Sequence, residues 1–163
     1  MIVVADTSPL NYLIQVEGTV LLAKLYGEVV VPASVVEELA SEGGPEAVIR
    51  WSHSLPPWIK IQNPTSIPSG LEGLGNGERD AIALGVELHA NFILIDERKG
   101  TKAARIAGIN PIGVLGVFLL ATEIGAGDGR MFYRKLMAET NFFASARLLE
   151  EFEILLLQKE RRR

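Results

Sequence analysis

The chain has 163 residues, no cysteine and a formal net charge of −4. A chain of this length is expected to form one domain with a core of its own. Without cysteine, thiol catalysis, Cys-ligated zinc and disulfides are excluded. The negative balance argues against indiscriminate nucleic-acid binding over the whole surface and leaves room for a local basic patch. No basic n-region precedes the acid at position 6, and no apolar run reaches the ~18 residues of a membrane span, so a cytoplasmic protein with neither signal peptide nor membrane segment is expected.

Ile2-Val3-Val4-Ala5 is an unbroken apolar run, the pattern of a strand buried on both faces. It leads straight into Asp6, and the carboxyl end of a strand in an open α/β sheet is where ligands bind. Thr7-Ser8-Pro9 is a helix start, because Ser and Thr cap free N–H groups and proline suits the first helical position. Thr19 to Tyr26 predicts a second helix and Glu28 to Val31 a second strand, which Pro32 closes. In the predicted helix Ala33 to Ala40, Val35, Val36 and Leu39 face the core; Glu38 sits at the edge of that face and Glu37 points to solvent. Pro45 to Ser54 predicts another helix, Trp58 to Gln62 an extended segment at the sheet edge, and Asn63 to Gly70 a loop.

Leu71 to Leu88 enters through glycines at 73, 75 and 77 and becomes an apolar helix with Glu78 and Asp80 in its first turn. Acids there complement the helix dipole, or they bring a carboxylate to the Asp6 edge. The glycines spell neither G-x-G-x-x-G nor a Walker loop, so a phosphate cradle is not supported. Asn91 to Ile95 repeats the opening design, an apolar strand ending in Asp96. Arg98, Lys99, Lys102 and Arg105 follow at helical spacing, with Ala103, Ala104, Ile106 and Ala107 as the apolar side. Beside a carboxylate cluster such a stripe suits a phosphodiester backbone. Gly108 to Pro111 reads as a turn, and Ile112 to Val114 as the start of a last strand running into a core helix. Gly129 to Glu139 and Ala144 to Lys159 read as peripheral helices, the second with Leu148, Leu149, Phe152, Leu155 and Leu156 on one face.

The alternation of short apolar strands with helices predicts an α/β fold with a mainly parallel sheet. Four carboxylates, Asp6, Glu38, Glu78 and Asp96, are candidates for one sheet edge, where they would repel one another. A hard divalent cation such as Mg²⁺ neutralises such a cluster and suits phosphodiester hydrolysis. His53 and His89 stand in or at the ends of helices, away from the acid strands, and no G-x-S-x-G elbow is present.

Val-Val-Ala-Asp-Thr-Ser-Pro-Leu, Val-Pro-Ala-Ser-Val-Val-Glu-Glu-Leu, Gly-Glu-Arg-Asp-Ala-Ile-Ala-Leu and Leu-Ile-Asp-Glu-Arg-Lys, taken in order over about residues 2 to 125, resemble a PIN domain. More narrowly they are similar to prokaryotic PIN-like proteins related to the VapC-type toxin ribonucleases of toxin–antitoxin pairs. The resemblance implies a three-layer α/β/α fold with a core at about 2–125, peripheral C-terminal helices at about 126–163, and a Mg²⁺- or Mn²⁺-dependent endoribonuclease. It implies catalytic roles for Asp6, Glu38, Glu78 and Asp96. The metal would be held by Asp6, Glu78 and Asp96, with Asp80 competing for the place of Glu78. Thr7 or Ser8 resembles the family's hydroxyl residue, and Glu97 stands where many relatives have a second Asp. Arg98, Lys99, Lys102 and Arg105 would hold single-stranded RNA. Implied partners are an antitoxin protein and a second copy of the chain, with no membrane. Two rival readings are a non-catalytic PIN-like module that binds RNA or protein, and a haloacid-dehalogenase-type phosphatase. The latter wants a second acid two residues after the strand-end Asp, where this chain has Ser8.

Overall fold

Val3, Val4 and Ala5 leave no polar face, and they form the central strand of the sheet. The computed structural model describes residues 1–163. The elements in order are β1 (Val3–Ala5), α1 (Thr7–Gln15), α2 (Val20–Tyr26), β2 (Val29–Val31), α3 (Ala33–Leu39), α4 (Glu46–His53), β3 (Ile59–Ile61), α5 (Asn76–Glu87), β4 (Phe92–Leu94), α6 (Arg98–Ile106), β5 (Asn110–Ile112), α7 (Val114–Ile124), α8 (Gly129–Glu139) and α9 (Ala146–Arg161). All strand pairs are parallel, in the order β3-β2-β1-β4-β5. The chain therefore winds outward from β1 through β2 to β3, then returns to the other side of β1 for β4. That reversal is a topological switch point, the crevice in which open α/β sheets place ligands. Val3, Val4 and Ala5 pair in register with Phe92, Ile93 and Leu94.

Alternation along the strands divides the core between the two faces of the sheet. Val3, Ala5, Val29, Val31 and Leu94 join a larger cluster with side chains of α1, α2, α3, α4, α7, α8 and α9. Val4, Ile93 and Ile95 join a smaller one with Ala81, Ile82, Ala83 and Leu84 of α5 and Ala104 of α6. The three layers match the expected α/β/α architecture.

Four details depart from the sequence reading. Asn110 and Pro111 belong to β5 rather than to a turn. Proline lacks a ladder donor, but β5 is an edge strand and tolerates it. Ile106 and Ala107 do not face the core: Ile106 is 78% exposed. The contact face of α6 is made of small residues, Gly100 and Ala104, and Ile106 lies about 200° around the helix from Ala104. On α9 the buried stripe is narrower than expected. Phe152 and Leu156 are buried one turn apart, whereas Leu148, one turn before Phe152, and Leu155, beside that line, stay open. Finally, α8 and α9 are not merely appended at the periphery. Phe132, Leu136, Phe152 and Leu156 all enter the larger cluster, because α7 is apolar on most of its surface and needs covering on the side away from the sheet.

Leu156 is fully buried on α9. Leu156→Ala is therefore expected to lower unfolding free energy by about 2–5 kcal/mol, read as a shifted urea midpoint. Leu155→Ala, one residue away on the open flank, should shift it by less than about 0.5 kcal/mol.

Candidate active site

Asp6 leaves β1 and occupies the N-cap position of α1 in extended backbone (φ −88°, ψ 171°). Its backbone N–H donates to the Leu94 carbonyl at 2.8 Å, so β1 and β4 stay paired up to the point where both chains reach their acids. The Asp6 side chain is only 2% exposed. It does not cap α1, and its Oδ1 is buried with no hydrogen-bond partner. Burial pushes its carboxyl group up to about 7; the Thr7 backbone N–H pulls the other way, and Glu78, Glu38 and Glu97 add repulsion.

Asp96 follows β4. Both of its carboxylate oxygens accept from the Val114 N–H at the start of α7, at 3.2 Å each. Burial raises it to about 6, against the pull of the Val114 N–H and with a contribution from Glu97. Tyr12 of α1, which the sequence does not single out, is raised first by burial and then by Asp96 and Glu97, which places its phenol beside this strand end.

The helix acids separate clearly. Glu78 is half-buried and its Oε2 has no partner. It too is raised, first by burial and then by Glu97, with Glu38 among the further causes. Asp80 turns elsewhere: it accepts from Ser34 Oγ at 2.7 Å and pairs with Arg79 at 3.0 Å. Two residues along a helix are about 200° apart, so only one of the pair can face Asp6, and that one is Glu78.

Glu38 is exposed as a residue, yet both oxygens are engaged. Oε2 accepts from the Thr7 hydroxyl and Oε1 from the Gly77 N–H at 2.9 Å. The carboxylate thus ties the start of α1 to the first turn of α5. Of the two candidate hydroxyls, Thr7 makes this contact and Ser8 makes none. Glu97 is exposed at the N-cap of α6 without capping it.

Each of three acids also rests on a glycine at the start of a helix. A Cβ on Gly77 would come within 2.6 Å of the Glu38 carboxylate, one on Gly100 within 2.6 Å of Glu78 Oε2, and one on Gly113 would overlap Asp96 Oδ1. No side chain fits at these places. The glycines at 77, 100 and 113 are thus part of the site, and the sequence signals this only for Gly77, through its Gly-Glu pair.

None of Asp6, Glu38, Glu78 or Asp96 is in an ion pair with Lys, Arg or His. No three of them come close enough together to ligate one ion directly. The donor set is nonetheless apt for Mg²⁺ or Mn²⁺: hard oxygens, two of them buried and unpartnered, on acids that no cationic side chain neutralises. An ion that keeps several waters needs few direct protein ligands. Arg98, Lys99, Lys102 and Arg105 are all exposed on α6 and free of ion pairs. His53 and His89 are exposed and stand apart from these acids.

A family model described as a PIN domain matches residues 2–157, which takes in α8 and most of α9. The comparison with curated proteins gives no match. Among solved structures, a PilT N-terminus domain protein, SSO1118, from the archaeon Sulfolobus solfataricus P2 is similar. The likeness covers 88% of this chain and 100% of that one, at 12% identity and a TM-score of 0.51. At that identity it speaks for the fold alone. With the family model spanning nearly the whole sequence, the chain belongs to the PIN domain family.

Proposed function

We propose that the protein is a divalent-metal-dependent endoribonuclease acting on single-stranded RNA, with residues 1–163 working as one PIN-like domain. PIN domains are typically nucleases and generally use divalent metal ions. The observation that carries the reading is the pair of buried, unpartnered carboxylate oxygens, Asp6 Oδ1 and Glu78 Oε2, at the β1/β4 switch point beside Asp96. A buried anion without a partner is costly, and a fold keeps one where it is used.

In this reading Asp6, Glu78 and Asp96 hold the hydrated ion, and Glu38 completes the site. When bound, the cation supplies screening of the attacked phosphate and a more acidic water. The reaction joins a water oxygen to phosphorus in line and breaks the bond to the ribose 3′ oxygen. Asp6, Glu78 and Asp96 line one side of the phosphate, and the α6 cations hold the RNA chain on the other. Glu97 supplies a further negative charge next to Glu78 and Asp96. Similarity to the VapC-type branch extends the proposal to the toxin of a toxin–antitoxin pair, acting in the cytoplasm as a homodimer and silenced by an antitoxin protein. No helix is long and apolar enough to cross a membrane.

Cleavage of a single-stranded RNA in Mn²⁺ or Mg²⁺ tests this. Asp6→Asn and Glu78→Gln should each lose at least about 100-fold, since even partners one layer out from a metal are worth about 10–100-fold. Asp80→Asn should stay near wild type. Equal cleavage by wild type and Asp6→Asn overturns the assignment.

The raised carboxyl groups give a second test, in chelator and without RNA. Asp6 titrates near 3.8 in the unfolded chain and near 7 in the folded one. Between those values the folded protein binds more protons than the unfolded. This contribution to stability is therefore complete below about pH 4 and lost as pH rises to about 7. Asp6→Asn should flatten the fall in melting temperature over that range. Mn²⁺ at neutral pH should raise the melting temperature of the wild type more than that of Asp6→Asn. An equal pH slope in both proteins counts against the buried-acid site.

A further inference from the structure

We infer that single-stranded nucleic acid lies in the groove running outward from Asp96 between α6 and residues 143–148, with Phe143 as a base-stacking platform. This deepens the nuclease reading and rests on it. The groove has two unlike walls. Arg98, Lys102 and Arg105 form one, and Phe143 and Leu148 stand in the other, with Asp96 at the inner end. One wall is cationic and the other apolar, which matches a strand with phosphates on one side and unstacked bases on the other.

Phe143 is the most exposed large apolar side chain in the protein, at 87%. It is not a loose end. Phe142 beside it packs edge-on against Tyr12, with ring centroids 5.3 Å apart at 90°. The Phe142 N–H donates to Thr140 Oγ1 at 3.1 Å, and on the other side Ser145 Oγ accepts from the Leu148 N–H at 3.2 Å. Phe142 is thus half-buried against Tyr12 while Phe143, next to it, stays exposed. A ring held in this way loses little freedom when a base stacks on it. The N-terminus of α9, beginning just after Ser145, adds its positive dipole end to the same groove.

The arrangement also divides the basic stripe. Lys99 lines a different groove on the far side of α6, among Leu71, Leu74, Val86 and Ile106, and Lys102 borders both. Arg98, Lys102 and Arg105 thus carry the strand that leads to Asp96, and Lys99 lies off its path. A duplex keeps its bases stacked inside and offers no face to Phe143, so the groove selects unpaired substrate.

Fluorescence anisotropy of the full chain with a labelled oligouridylate, in chelator so that no cleavage occurs, tests the inference. Phe143→Ala should weaken binding by roughly tenfold, and Phe143→Tyr should restore it. Because the ring is exposed, the melting temperature should not move. Lys102→Ala and Arg105→Ala should each reduce the slope of log affinity against log salt by about 0.7, and Lys99→Ala should reduce it by less. A hairpin duplex of the same length should bind more weakly than the oligouridylate. Unchanged affinity in Phe143→Ala, or equal affinity for the duplex, overturns the proposal and gives the Phe143–Leu148 face to a protein partner instead. Binding with the expected Phe143 dependence but no cleavage in Mn²⁺ overturns the nuclease reading and leaves the groove assignment standing.

Discussion

Crowding of like charges at one strand edge is the constraint on which the rest of this structure depends. Asp6 and Glu78 each keep a buried oxygen without a partner, at about 1–3 kcal/mol apiece. Glu38 and Glu97 raise the cost further by repulsion. The fold offsets part of it with helix ends. The helices α1, α5, α6 and α7 all begin at this edge, and three of the four acids rest on their first turns, at Gly77, Gly100 and Gly113. A helix start presents free N–H groups and a partial positive charge. The absence of Cβ atoms lets each carboxylate reach that charge closely.

The same constraint explains the division of labour among the acids. Asp96 has its charge answered by the Val114 N–H, and Glu38 by Thr7 and Gly77. Asp6 and Glu78 are answered least, and the Glu78 charge is among those that raise Asp6. The two satisfied acids fix the ends of α7 and α5 relative to the sheet. The two unsatisfied ones are held in place by that frame, because β1 and β4 are paired in register up to the Asp6 N–H. Site and scaffold are thus built from the same residue type, distinguished only by what each carboxylate touches.

Much of this is legible in the sequence, for a physical reason. A strand buried on both faces must be uniformly apolar, so the first charged residue after it marks its end; Asp6 and Asp96 announce themselves in this way. The helix acids are harder. Glu78 and Asp80 differ only in rotation about α5, and that phase is set by where the helix begins and by the partners Asp80 finds, Arg79 beside it and Ser34 on α3. Gly100 and Gly113 read as ordinary glycines until the carboxylates that touch them are known. Pro111 argues against a strand unless the strand is known to be an edge. On α6 and α9, period alone makes Ile106, Leu148 and Leu155 core residues, yet burial also needs a neighbour to pack against, and none covers them. Phe143 carries no periodic signal at all. Its importance comes from Tyr12, which lies far off in sequence and turns Phe142 inward.

A net charge of −4 and a nucleic-acid substrate are compatible because the two signs are segregated over a short distance. At the floor of the switch point Asp6 is buried and Glu78 and Asp96 are half-buried, whereas the cations of α6 are exposed and unpaired. Exposed charges act on an approaching strand within about a Debye length, near 8–10 Å at physiological salt. A strand arriving along α6 therefore meets positive charge before it meets the carboxylates. On the proposed reading, repulsion between phosphate and the acid cluster would be felt at the inner end of the groove, where a divalent ion held by the acids would offset it. On the proposed reading, a divalent ion held by these acids would govern the last step of substrate placement, and the α6 wall and Phe143 the earlier ones. On that reading an acidic chain would still favour nucleic acid along the path that ends at Asp96.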